Sequence, residues 1–336
     1  MRSLARSTPN IALIKYWGNR NEELRLPMAD SLSMTLDHPT VEISIEESNQ
    51  FAIHSFDPQG KKKTLTEKQV NRWKKTLDLC CTYLKTLGAP DALPKNITLG
   101  VRSHIPPAVG LASSAAVFSC LGKAIAGFIA PSIALTDEQV SILARLGSGS
   151  AARSIFGGFS ALLAGEGMDI KSSAAIQIAP EDHWPLHDII VIPSHDEKKV
   201  GSTEGHALAS TSPFYAQRVE DIRSRRQPEC IDAILKRDFE KLQRVTEEDA
   251  LDMHHVMETS TPPLKYLTAD THRIVNAIKD LRTKEHLPVL FTMDAGPTVH
   301  LICTEEAESK VLAFANAQKG CTIFSTKVGP GAQIIA

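Results

Sequence analysis

The chain has 336 residues, 37 basic against 39 acidic side chains for a formal net charge of −2, and only 5% aromatic residues. That length admits one large or two medium domains with an ample core. The near balance of charge argues against nucleic acid or an acidic membrane as the main partner, and the scarcity of aromatics argues against base-stacking platforms. The six cysteines, Cys80, Cys81, Cys120, Cys230, Cys303 and Cys321, form no CxxC pair and mostly sit in apolar runs, as inert core thiols of a reducing cytosol do. The opening MRSLARSTPNIALIKYWG carries two arginines but no long apolar core, and no window reaches the length of a membrane-spanning helix. The expectation is a soluble cytoplasmic α/β protein.

In chain order, Asn10 to Lys15 predicts a short strand, followed by a loop through Trp17, Gly18 and Arg20. Thr40 to Glu46, with Val41, Ile43 and Ile45 alternating, and Phe51 to Phe56 predict an antiparallel strand pair. Thr66 and Gln69 have capping-box spacing, and Val70, Trp73, Leu77, Leu84 and Leu87 recur at helical intervals up to Gly88. Ile97, Leu99 and Val101 predict a strand that Pro106 and Pro107 stop, and Gly110 allows a sharp turn into a helix opening Gly110-Leu111-Ala112-Ser113-Ser114. Thr136 and Gln139 cap a helix to Leu146, and Gly147 to Ser154 (GSGSAARS) reads as a flexible polar loop entering another helix before Gly157-Gly158.

A change of texture near residues 180–187 divides the chain into domains 1–185 and 186–336. Beyond it comes a polar, basic run from Ser194 to Gly205, then charged helices to about Leu267. The strands Val289 to Met293 and Val299 to Cys303 flank Asp294-Ala295-Gly296-Pro297, with a helix over Glu305 to Ala317 and a strand over Thr322 to Lys327. This order predicts a small α/β sandwich on an antiparallel sheet.

Three places offer chemistry. The helix start at Ser113 and Ser114 has free N–H groups, a positive dipole end and two hydroxyls, which suit phosphate. It has neither Walker nor dinucleotide spacing, and the same residues also make an ordinary cap followed by a packing face. Arg153 carries a planar fork for a carboxylate or phosphate, although a Gly/Ser loop with one arginine also serves simply as a turn. Asp294 either bonds its own Gly-Pro turn or stands as a partly desolvated base. Twelve histidines, including His254-His255, form no HExxH and argue against structural zinc. The serine pair lies in no GxSxG elbow, which weighs against a serine hydrolase or amidase.

Four separated pieces then combine: Asn10 to Gly18 (NIALIKYWG), Pro106 to Ala115 (PPAVGLASSA), Gly147 to Ser154 (GSGSAARS) and Met293 to Pro297 (MDAGP). Together they closely resemble the mevalonate diphosphate decarboxylase family, within the galactokinase, homoserine kinase, mevalonate kinase and phosphomevalonate kinase superfamily. The resemblance implies an α+β, two-domain fold. An N-terminal α/β nucleotide-binding domain and a C-terminal ferredoxin-like sandwich would enclose the active site in the cleft between them. It implies ATP with Mg²⁺, Pro106, Gly110, Leu111, Ala112, Ser113 and Ser114 lying on the phosphates and Ser114 on the metal side. Asp294 becomes the base beside a tertiary hydroxyl, and Arg153 the partner of the substrate carboxylate with Ser150 nearby. Lys15 and Tyr16 would line the substrate, Ser202 and Thr203 would donate to its distal phosphate, and Lys198 or Lys199 would add charge. A small-molecule substrate and a homodimer are further expectations.

One departure bears on the substrate. Family members typically read KYWGK where this chain reads Lys15-Tyr16-Trp17-Gly18-Asn19. A cation about 4 Å from an anion contributes roughly 1 to 4 kcal/mol, depending on the effective dielectric. Its loss favours mevalonate 5-phosphate, giving isopentenyl phosphate. Arg20, the next residue, could restore the charge and with it the diphosphate substrate and isopentenyl diphosphate as product. A 3-kinase that keeps CO₂, and a ligand-binding relative without turnover, complete the alternatives; Asp294 and Arg153 together favour the full reaction.

Overall fold

In a computed structural model of the chain, residues 2–105, 113–193 and 200–336 are described. β1 (Arg2–Ser7) and β2 (Asn10–Ile14) open the chain, and β3 (Asn19–Asn21) with β4 (Leu26–Pro27) forms a small hairpin. β5 (Ser31–Thr35), β6 (Val41–Glu47), β7 (Ala52–Phe56) and β8 (Lys62–Lys63) lead to α1 (Glu67–Thr86). The capping box forms as its sequence dictates: Gln69 N donates to Thr66 Oγ1 at 3.2 Å, and Thr66 N donates to Gln69 Oε1 at 2.8 Å. Trp73, Leu77 and Leu84 make the buried face of α1.

β9 (Ile97–Ser103) buries Ile97, Leu99 and Val101. α2 (Ser113–Ile129) and α3 (Asp137–Gly147) follow, and small residues let their backbones approach. A Cβ on Gly122 would lie 3.1 Å from the backbone nitrogen of Ala144. The first sheet runs β6, β9, β7 through its centre, with β9 antiparallel to β6 and parallel to β7. The expected antiparallel pairing of Thr40–Glu46 with Phe51–Phe56 is therefore incorrect. The 20-residue α1 crosses over from β7 and inserts β9 between them. Alternation fixes a strand's faces but does not name its neighbour.

A second correction concerns GSGSAARS. It is no flexible loop but a 3₁₀ helix, Gly149–Ile155, with Ala151, Ala152, Arg153 and Ser154 buried. Small residues let this turn pass through the interior, and a Cβ on Gly149 would meet the Tyr16 ring at 2.4 Å. β10 (Phe159–Leu162) and β11 (Ala175–Ala179) complete a second sheet in the order β11-β10-β5-β2.

β12 (Leu186–Ile192) then precedes α4 (Ser202–Leu208), α5 (Tyr215–Asp221), α6 (Gln227–Lys236), α7 (Phe239–Glu258) and α8 (Ala269–Glu285). β13 (Val289–Thr292), β14 (Val299–Thr304), α9 (Glu308–Asn316) and β15 (Thr322–Lys327) complete the third sheet. Its order is β13-β14-β12-β15 with every pairing antiparallel, the ferredoxin-like arrangement of two interleaved β-α-β units. The chain is thus an α+β fold of two domains. β16 (Gln333–Ile334) returns to the first sheet, where Ile334 pairs with Ala5. One apolar core spans the two parts, joining Ile11, Leu121 and Leu143 to Ile190, Leu290 and Ile302. A second core lies between the third sheet and helices α8 and α9, around Ile189, Phe291 and Val311. No helix among the described residues is long and apolar enough to cross a membrane.

Candidate active site

The end of β2 is the point on which the site is built. All five of its residues are buried, and the next side chain, Lys15, is only 1% exposed. A buried ammonium needs a charged partner. Lys15 finds one in the second domain, its Nζ donating to Asp294 Oδ1 at 2.7 Å. Asp294 follows β13 in the Met293–Pro297 turn, and it is the Asp294 backbone carbonyl that accepts from Gly296 N, at 2.7 Å. Backbone closes the turn, and the carboxylate, 32% exposed, meets Lys15 while staying partly open to solvent.

Behind this pair lies a network that sequence reasoning missed. Lys15 N donates to Asp249 Oδ2 at 2.7 Å, and Arg218 donates to Asp249, to Asp252 and to the Lys15 carbonyl. Arg218 and Asp249 are 1% and 0% exposed. Both sit on helices whose charge density reads as solvated surface, and no spacing in the chain links α5 and α7 to β2.

Arg153, also 1% exposed, projects from the 3₁₀ helix. Its Nη1 donates to Ser31 Oγ at 2.5 Å and its Nη2 to Asn10 Oδ1 at 3.3 Å, while Nε has no hydrogen-bond partner among the described residues. Burial pushes its pKa down to about 10, and the negative charge of Asp294 opposes that shift. This is a guanidinium held by neutral groups, still carrying donor capacity for an anion. Asn10, another residue the sequence did not single out, donates from Nδ2 to the Ser150 carbonyl at 2.9 Å and to Ser154 Oγ at 2.7 Å. β2 therefore positions the segment that carries Arg153.

Hydroxyls connect this segment to the start of α2. Ser114 Oγ lies 3.1 Å from Ser148 Oγ, which lies 3.2 Å from Ser150 Oγ. The structure thus joins Ser114 and Ser150, drawn from two separate motifs, through Ser148, which the sequence did not single out. Ser113 is exposed beside them. Pro106, Gly110, Leu111 and Ala112 lie outside the described residues, as do Lys198 and Lys199.

Tyr16 packs against Gly149 and its hydroxyl donates to Asn19 Oδ1; burial raises its pKa to about 12. Asn19 Nδ2 in turn donates to Glu22 at 2.9 Å. Arg20 differs from expectation. Rather than turning beside Asn19 it is spent on backbone, with Nε at 3.0 Å and Nη2 at 2.9 Å from the Gly167 carbonyl and Nη1 on that of Pro27. Ser202 and Thr203 are exposed at the start of α4. The same helix reaches the site through His206. Its Nδ1 accepts from Gly18 N at 2.9 Å and its ring stacks on Tyr16 and Trp17.

His254 on α7 is buried, and its pKa is pushed down to about 4, by burial first and by the charge of Lys15 second. The unfolded chain protonates this ring near pH 6.5 and the folded one only near pH 4. Its contribution to stability is intact above pH 6.5 and is lost as pH falls toward 4, about 2 kcal/mol of it by pH 5. Urea midpoints at pH 7 and pH 5 should show a smaller loss in His254→Gln than in the native chain. Equal losses would remove His254 as their source.

Comparison with known proteins agrees with this architecture. Residues 7–175 match the family model of the diphosphomevalonate decarboxylase-like N-terminal domain, and residues 188–334 that of the mevalonate 5-diphosphate decarboxylase C-terminal domain. The chain is 34% identical to a diphosphomevalonate decarboxylase of Debaryomyces hansenii over 92% of its own length and 81% of the relative's. Among solved structures it is similar to mevalonate diphosphate decarboxylase from Staphylococcus aureus, with a TM-score of 0.85, 31% identity, and coverage of 100% and 98% of the two chains. A second similar structure, described as MDDEF in complex with MVAPP, AMPPCP and magnesium, gives a TM-score of 0.86 at 29% identity, covering 100% and 99%. With both halves matched in order, the chain belongs to the mevalonate diphosphate decarboxylase family.

Proposed function

We propose that the protein is an ATP-dependent decarboxylase that converts mevalonate 5-diphosphate to isopentenyl diphosphate, CO₂, ADP and phosphate. The observation that carries this reading is Asp294, ion-paired to buried Lys15 and acting by its charge on buried Arg153, whose Nε has no partner among the described residues. A tertiary hydroxyl is a poor leaving group, so ATP first phosphorylates it, and Asp294 would orient the hydroxyl and accept its proton. The C–O bond then breaks and phosphate leaves with the electron pair. The pair of the carbon–carboxylate bond becomes the alkene as CO₂ departs. Arg153 would hold the carboxylate through its fork, and Asp294, once it has passed the accepted proton to the departing phosphate, would favour the cation-like carbon by its restored charge.

ATP would lie with its phosphates at the start of α2, where Ser114 belongs to the hydroxyl chain through Ser148 to Ser150. Mg²⁺ commonly keeps several waters and phosphate oxygens, so one hydroxyl, Ser114, suits it; when bound it neutralises charge on the transferred group. Among the described residues no cluster of three histidine, cysteine or acidic groups offers an all-protein metal site.

Asn19 by itself pointed to mevalonate 5-phosphate; the substrate named for the relatives moves the first choice to the diphosphate. The monophosphate stays as a second reading on one observation: Asn19 is neutral and bonded to Tyr16 and Glu22, and Arg20 is occupied by carbonyls. The test measures kcat/KM on both compounds with ATP and Mg²⁺, identifying ADP, CO₂ and the organic product. A preference of tenfold or more for the diphosphate is expected. A reversed preference selects the second reading, and ADP formation without CO₂ a 3-kinase.

A further inference from the structure

If Asn19 brings no charge and Arg20 is occupied, the phosphorylated end of the substrate needs another cation from among the described residues. Arg145 is not available either: it is 0% exposed, with its two terminal nitrogens on the Leu24 and Ile170 carbonyls. Arg25 is different. It sits in the left-handed region, φ +50°, immediately before β4 in the hairpin that begins at Asn19. Its Nε donates to the Leu146 carbonyl at 3.2 Å, and Arg72 Nη2 from α1 donates to the neighbouring Gly147 carbonyl at 2.9 Å. Two guanidinium groups thus converge on the last turn of α3, directly before Ser148, Gly149 and Ser150.

A helix C-terminus attracts cations through its carbonyl dipoles, yet about half a unit of negative charge cannot balance two arginines. Among the described residues the hydrogen bonds of both side chains go to backbone carbonyls, and Arg72 Nε has no partner there. Arg72 is fixed in place over the Phe118 ring, 4.6 Å from its centre. The field of Arg25 reaches the site residues themselves: its charge acts on Tyr16, on His206 and on Arg72. Tyr16 and His206 lie ring against ring, and Tyr16 bonds Asn19, the position where the cation is missing; Arg25 is tied 3.2 Å from the Leu146 carbonyl, three residues before the Gly149 that Tyr16 packs against. Glu22, the acid facing Tyr16 from the same hairpin, is exposed and bonds Asn19.

We propose that Arg25 supplies the charge that Asn19 does not, binding the phosphate or diphosphate of the acceptor and making the β3–β4 hairpin its specificity element. This rests on the functional reading above. Arginine can address two phosphate oxygens at once and keeps its charge at any working pH, which a neutral amide cannot replace.

The test compares the native enzyme with Arg25→Gln and Arg25→Lys. Arg25→Gln is expected to raise KM for the preferred phosphorylated mevalonate thirtyfold or more, with kcat and KM for ATP changing less than threefold, and Arg25→Lys to recover part of that loss. The inhibition constant of unphosphorylated mevalonate should stay within threefold, because the missing charge has nothing there to meet. A KM change below threefold in Arg25→Gln, or an equal loss for unphosphorylated mevalonate, overturns the proposal. If the native enzyme turns over neither mevalonate phosphate, the functional reading fails separately. Calorimetric titration with inorganic pyrophosphate then decides the anion site: equal binding by native and Arg25→Gln protein refutes it, and at least tenfold weaker binding by the variant supports it.

Discussion

Asp294→Asn is expected to reduce kcat by about three orders of magnitude while the dissociation constant of the acceptor changes less than about threefold. The substitution keeps the side chain's size and its place in the turn but removes the proton acceptor and the negative charge. Lys15, buried at 1% exposure, then loses its ion-pair partner and faces an amide. A lone buried ammonium is destabilising, so a lower Tm accompanies the loss. Asp294→Glu separates the two effects: it restores the charge for Lys15 but displaces the base, and should recover Tm more fully than kcat. Single-turnover measurements at a temperature where all three proteins are folded check this. An Asp294→Asn enzyme with more than a tenth of native kcat would show that the base lies elsewhere.

Arg153→Lys should cost about a hundredfold in kcat/KM, although it keeps the charge. The guanidinium spreads donors over Ser31, Asn10 and a free Nε, whereas an ammonium reaches one region only. Arg153→Gln, which also leaves Ser31 and Asn10 oriented toward an absent cation, should lose at least about a thousandfold. The stoichiometry is the more telling measurement. Phosphoryl transfer needs the hydroxyl in place, but loss of CO₂ needs the carboxylate aligned, so the variants should form more ADP than CO₂. A strict one-to-one ratio at the native rate would sink the assignment of Arg153 to the carboxylate.

What the sequence made legible was the local and the chemical. The capping boxes at Thr66 and Thr136 declare their helices because both partners lie within one turn, and the MDAGP turn declares its acid because Gly296 and Pro297 follow it closely. The partner of β7 was not legible, since pairing across α1 is decided by topology rather than by the strand's own alternation. Nor was the burial of GSGSAARS: serine and glycine describe an exposed turn equally well, and only Asn10, 140 residues away, reveals what holds it. The same holds for Arg218 and Asp249, whose charges read as solvent-facing until β2 is laid against them. Arg25 was the least visible of all, an ordinary surface arginine until the hairpin ties it to the end of α3 at the Leu146 carbonyl.

The path of the last residues has a consequence for how the two lobes are joined. The chain leaves the first lobe before β12 and comes back after β15, where Ala332 N donates to the Ser154 carbonyl at 3.0 Å and Ile334 pairs with Ala5. A Cβ on Gly331 would sit 2.3 Å from the Ile155 carbonyl, so the returning strand runs flush along the 3₁₀ helix that holds Arg153. The lobes are therefore looped together by two covalent crossings instead of strung on one. A cut between them would not release two finished pieces: the first would lose an edge of its own sheet and the brace behind its arginine.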